Sequence, residues 1–263
     1  MLNNISKTLI NAAKMVTAHG GTELSNVAVS LKNITNFNII PVRLMMATSP
    51  KYSALFSPHT LRKQDPNLCY SNSLKIINKS VTKKPMNLLS KVRKYMLGNI
   101  DYIELLSSSN EKIIQTIGEK IKGSGMVALR GHGIARTDSA YTTHHVVVIT
   151  DIFICHGRKI ALMIDTDDTV ENKSCDNEES IRLVDLENMI TVARAGAMKF
   201  LSDNHMNNTE GLLSISFIHP HLVAEEYRLD PVSKGCITDY LEESWKTGSV
   251  CVEYANIGGT LNT

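Results

Sequence analysis

The spacing of apolar residues changes once along this chain, and the change falls at Gly125. Before it, Tyr70, Leu74 and Ile77 follow one another at helical intervals, as do Ile113, Ile114, Ile117 and Ile121, with Asn110 in the position of an N-cap. A basic helix is expected between them, from about Met86 to Leu97. After Gly125, Met126 to Leu129 is short and apolar, His145 to Ile154 is rich in Val and Ile, and Lys159 to Ile164 follows across a turn at His156 and Gly157. These read as consecutive strands. Leu183, Leu186, Met189, Ile190, Ala193, Ala197 and Leu201 mark a long amphipathic helix, and Leu212 to Ile218 and Val250 to Tyr254 are the last strand candidates. Helices first and hairpin-linked strands afterwards predict an α+β fold, a helical half packed on a mainly antiparallel sheet, with no internal repeat and no low-complexity tract.

Charge divides at the same place. Residues 1–124 hold 17 Lys+Arg and 6 Asp+Glu, a balance of +11, whereas residues 125–263 carry −9, so the total of +2 hides two halves of opposite sign. A near-neutral total argues against a dedicated nucleic-acid binder, and the basic run from Lys75 to Lys94 reads as a solvated helical face. The longest apolar run, Val146 to Ile154, is interrupted by Thr150 and Asp151, so no membrane span is expected. The first twenty residues lack the compact apolar block of a secretory signal. Five cysteines at wide spacings, with no Cys-x-x-Cys pair, fit neither a disulfide framework nor a structural zinc site; no metal or other cofactor is expected.

Three segments carry chemistry. In Gln64-Asp65-Pro66-Asn67-Leu68-Cys69-Tyr70 a cysteine opens a helix, where unpaired backbone N–H groups and the positive end of the helix dipole favour the thiolate. Gln64 is placed to offer an oxyanion a side-chain N–H alongside the Cys69 backbone N–H. In His144-His145-Val146-Val147-Val148-Ile149 a histidine begins a buried strand; adjacent residues point to opposite faces, so one of the two enters a cleft, His145 first and His144 close behind. Asp165 is the first polar residue after Ile160 to Ile164, at the end of the partner strand, where a carboxylate can hold an imidazole N–H.

Taken in order, a Gln before a Cys that opens a helix, a strand beginning with His and a strand ending in Asp, the segments resemble the papain-like cysteine peptidases. The run His-Val-Val-Val-Ile from His145 is similar to bacteriocin-processing peptidase domains, and Cys69 to Ile77 resembles the nucleophile helix of cysteine protease effectors injected by pathogenic bacteria. The resemblance spans about residues 61–168. It implies Cys69 as nucleophile, His145 or His144 as general base and acid, Asp165 as orienting group and Gln64 as oxyanion donor. It further implies a catalytic domain over 61–263, while residues 1–60, rich in Asn, Ser and Thr, read as a leader serving as a translocation signal or as a helical cap. The expected activity is that of a cysteine protease delivered by a specialised secretion route into the host cytoplasm, with a host protein as substrate and a secretion chaperone as candidate partner of the leader. The same triad serves a glutamine deamidase or an acyltransferase, and a non-catalytic binding module is the alternative of a different class. The two charged halves would form the walls of the cleft, its acidic rim selecting a basic substrate segment.

Two competing site readings are weaker. Gly131-His132-Gly133 with Cys175 has the order of another peptidase class, but Cys175 follows a polar, acidic stretch rather than a buried strand. His132 reads as a loop residue, and His132, His144, His145 and His156 match no tetrahedral zinc spacing.

Overall fold

The computed structural model describes residues 69–81, 100–132, 134, 144–165, 181–224 and, beyond these, 234–235, 238–239, 241–242 and 246. The leader, Gln64, the helix expected at Met86 to Leu97, Cys175 and the strand expected at Val250 to Tyr254 lie outside them.

The chain forms α1 (Cys69–Val81), β1 (Ile100–Glu104), α2 (Asn110–Ser124), β2 (Val127–His132), β3 (His144–Cys155), β4 (Arg158–Ile164), β5 (Ile181–Asp185), α3 (Leu186–Asp203), β6 (Ser214–Ile218) and a short 3-10 turn at Pro220–Leu222. The six strands make one sheet in the order β1-β6-β2-β3-β4-β5, and every neighbouring pair is antiparallel. The α+β class with an antiparallel sheet is thus present.

Alternation along the strands decides which helix covers which face. Ile215 and Phe217 of β6 share one buried cluster with Ile113 and Ile117 of α2 and Met189 and Ile190 of α3. The intervening Ser216 faces the other way, its Oγ 3.2 Å from the Tyr70 hydroxyl of α1. The molecule is therefore layered, with α2 and α3 on one face and α1 on the other. Leu74, Ile76 and Ile77 anchor α1, each at most 2% exposed, and burying each aliphatic side chain contributes about 1.5–3 kcal/mol.

Four local readings are corrected by tertiary contacts. The N-cap of α2 is Ser109, whose Oγ accepts the Lys112 N–H at 3.3 Å. Asn110 instead reaches α3, donating to Thr191 Oγ1 at 2.9 Å and accepting from Arg194 at 2.7 Å. Leu183 belongs to β5, and α3 starts at Leu186 with Asp185 as its cap. His132 is the last residue of β2, 2% exposed, not a loop residue. β1, which the helical half was not expected to contain, pairs with β6. The basic half therefore supplies an edge strand of the same sheet as well as helices packed on it.

Two helical glycines should respond to alanine with opposite signs. At Gly196 a Cβ would lie 2.9 Å from His132 Cβ and 3.0 Å from its carbonyl oxygen, so α3 approaches β2 through the missing side chain. At Gly118 the nearest atom would be Ile152 Cδ1 at 3.9 Å, an ordinary contact. Gly118→Ala should stabilise by about 0.5–1 kcal/mol through helix propensity, whereas Gly196→Ala should destabilise by about 1–3 kcal/mol because the backbone it meets cannot give way. Urea denaturation of the two variants decides it; stabilisation by both would refute the close packing of α3 on His132.

Candidate active site

Cys69 is the first residue of α1 and is half-buried. At the start of β3, helix α1 meets the peptide groups of Val146. Its carbonyl accepts from Ser73 Oγ at 3.3 Å, one turn along the helix from Cys69, and its N–H is turned toward the Cys69 sulfur. This is possible because β4 pairs with β3 only as far as Val148↔Ile164, leaving Val146 beyond the end of β4. The end of the strand makes the opening into which the helix terminus fits.

Asp165 follows the last residue of β4 at that same end. It is 3% exposed, and its Oδ1 lies 2.9 Å from Nε2 of His145, itself 2% exposed. The His145 ring is also hydrogen-bonded to the Cys69 thiol. With Nε2 taken by Asp165, Nδ1 is the ring atom left for the sulfur. Three of the residues singled out in the sequence thus form one continuous hydrogen-bonded chain, Cys69–His145–Asp165.

The electrostatics of the chain favour an ion pair. Burial pushes the Cys69 thiol up from its ordinary 9.0, but the hydrogen bond and charge of His145 and the backbone N–H groups of Tyr70 and Val146 outweigh it, and the net shift is downward. Burial likewise works against protonated His145, yet the hydrogen bonds to Asp165 and Cys69 and the charges behind them carry it from 6.5 up to about 10. Cys155 is the contrast: buried at 0% exposure, with Glu242 adding a repulsive charge, its thiol is pushed up. Among the described residues it is the other free cysteine.

His144 goes elsewhere. It meets Arg130, whose Nε donates to His144 Nε2, and its ring packs 5.0 Å from that of His132. Burial first, then the charges of Arg130 and His132, lowers its pKa to about 4, so it stays neutral at ordinary pH. Of the two adjacent histidines, His145 is the one brought to Cys69 and Asp165. Among the described residues no group of three or more His, Cys, Asp or Glu is placed to hold a metal ion, and no helix is long and apolar enough to cross a membrane. Ser73 and the Val146 peptide are parts of the arrangement that sequence reasoning did not single out; the one available signal was the one-turn spacing of Ser73 from Cys69.

No model of a known protein family, no curated protein and no solved structure matches the chain.

The pKa directions predict a pH profile. The ion pair exists above the lowered pKa of Cys69 and below the raised pKa of His145. Iodoacetamide labelling of Cys69 should therefore rise with a midpoint below 9.0, the ordinary thiol value. A midpoint at or above that value would mean an unactivated thiol. Turnover that needs imidazolium as the acid should fall again as pH passes about 10.

Proposed function

We propose that this chain is a papain-like thiol hydrolase, acting as an injected bacterial effector and cleaving a host protein as a cysteine protease. The observation that carries the reading is the Cys69–His145–Asp165 chain, assembled from a helix N-terminus, the start of β3 and the end of β4. A structural cysteine needs neither an imidazole partner nor a carboxylate behind it. The likeness of the Cys69 helix to injected cysteine proteases supports the effector setting.

In this reading the Cys69 thiolate attacks the carbonyl carbon of the scissile amide, and a C–S bond forms as the carbonyl electron pair moves to oxygen. The Cys69 backbone N–H and the Gln64 side chain take the resulting oxyanion. His145 protonates the departing nitrogen from Nδ1 as the C–N bond breaks, leaving a thioester on Cys69. Neutral His145 then takes a proton from water, which attacks the thioester and releases the acid, restoring the ion pair. Asp165 keeps Nε2 protonated throughout, so Nδ1 is the atom that gains and loses the proton.

The same constellation acts on a glutamine side chain, releasing ammonia, or passes an acyl group to another acceptor. Mass spectrometry of host-cell proteins exposed to the wild type and to Cys69→Ala separates these outcomes. New protein termini specific to the wild type support the protease. An amide-to-acid exchange or a transferred group reassigns the chemistry while keeping the triad. No difference between the two proteins overturns the thiol-hydrolase reading.

A further inference from the structure

A hydroxyl inside a helix has a local acceptor at hand, the carbonyl four residues back. Thr116 and Thr191 take it, donating to the Lys112 and Glu187 carbonyls at 2.8 Å each. Ser73 forgoes the Cys69 carbonyl that stands in this position. Although 4% exposed, its hydroxyl donates out of the helix, to Val146 of β3 at 3.3 Å.

The acceptor it reaches belongs to the residue that also meets the sulfur. In an antiparallel strand the N–H and carbonyl of one residue point the same way, and a neighbouring strand meets both with one residue. Val146 lies beyond the last β3–β4 pair, Val148↔Ile164, and both of its groups meet the first turn of α1. The Cys69 sulfur takes the N–H, and Ser73 gives its proton to the carbonyl. Cys69 and Ser73 stand four residues apart, on one face of the helix, so a single turn supplies the acceptor and the donor that a strand residue would. His145, next to Val146, is bonded to the same sulfur, with Asp165 behind it. Ser73 carries no charge, so it acts on the sulfur through position.

We propose that Ser73 is a positioning residue for the reaction, its bond to the Val146 carbonyl setting the rotation and depth of the first turn of α1 so that the Cys69 sulfur meets the Val146 N–H and His145 together. The proposal rests on the thiol-hydrolase reading and adds to it the residue that holds the nucleophile in register.

Iodoacetamide labelling of Cys69 across pH separates positioning from packing. Ser73→Ala should raise the midpoint by about half to one pH unit, so that labelling below it slows by about three- to tenfold, because the thiolate loses a fixed donor and its alignment with imidazolium. Ser73→Thr, which keeps the hydroxyl, should label like the wild type. Ile77→Val, which loosens the buried face of α1 through packing, should leave the midpoint in place. A wild-type midpoint at or above 9.0 defeats the thiol-hydrolase reading itself. With a wild-type midpoint below that value, no shift in Ser73→Ala overturns the positioning role alone, as does an equal shift in Ser73→Thr or Ile77→Val. Should Ser73→Ala not fold, Ser73→Thr and Ser73→Val decide, being alike in shape and different in the hydroxyl. The midpoint should then be higher in Ser73→Val, and equal midpoints overturn the proposal.

Discussion

Cys69→Ala should lower kcat/KM for the target by about 10³-fold or more and leave the circular dichroism spectrum unchanged, because removing the proposed nucleophile leaves only binding and oxyanion stabilisation. The substitution removes a half-buried sulfur at a helix terminus, not a core side chain, so loss of fold is not expected. Cys155→Ala is the matching control: that thiol is fully buried and pushed up in pKa, and its removal should leave the labelling rate of Cys69 as it was. Retained target modification by Cys69→Ala would end the assignment of the nucleophile.

Asp165→Asn should be nearly as damaging, lowering kcat/KM by about 10²–10⁴-fold with the geometry largely kept. An amide in place of the carboxylate no longer favours imidazolium, so the pKa of His145 falls from about 10 toward its ordinary 6.5. The thiolate loses its counter-ion, and the midpoint of Cys69 labelling moves to higher pH. Stability follows the same linkage. A histidine whose folded pKa is raised contributes fully below its unfolded value of 6.5, and that contribution disappears as pH rises through about 10. The stability gap between wild type and Asp165→Asn should therefore be widest in mild acid, just below pH 6.5, should narrow as pH rises and should close in strong alkali. Denaturant midpoints across that range measure it. A gap that persists unchanged above pH 10 would show that Asp165 braces the fold through packing, with no ion pair to lose.

The two effects share a structural origin. Asp165 and Val146 both sit where β4 stops short of the start of β3, and the shortfall creates the place in which Cys69 meets His145. A strand two residues longer would pair with Val146 and displace α1. The arrangement also involves Ser73, whose hydroxyl donates to the Val146 carbonyl and holds the helix terminus against β3.

Much of this molecule was legible in its residues. The helical period of Ile113, Ile117 and Ile121, the Val- and Ile-rich run after His145 and the turn at His156 and Gly157 correspond to α2, β3 and the β3–β4 hairpin. These patterns are local, because burial of one stripe or one face imposes its period on neighbouring residues. The same locality let Cys69 be read at a helix start and Asp165 at a strand end. What the period could not supply was contact between residues far apart in the chain. Whether Ser109 or Asn110 caps α2 depended on Thr191 and Arg194 of α3. His145 and His144 were near equals until the ends of β4 and α1 gave one of them Asp165 and Cys69, while Arg130 engaged the other. The position of Arg130 opposite Val146 comes from sheet register alone. By itself the sequence determined the elements and the local chemistry of its candidate residues. Tertiary structure decided which of them meet, because register and helix docking are set by packing between segments that no local pattern relates.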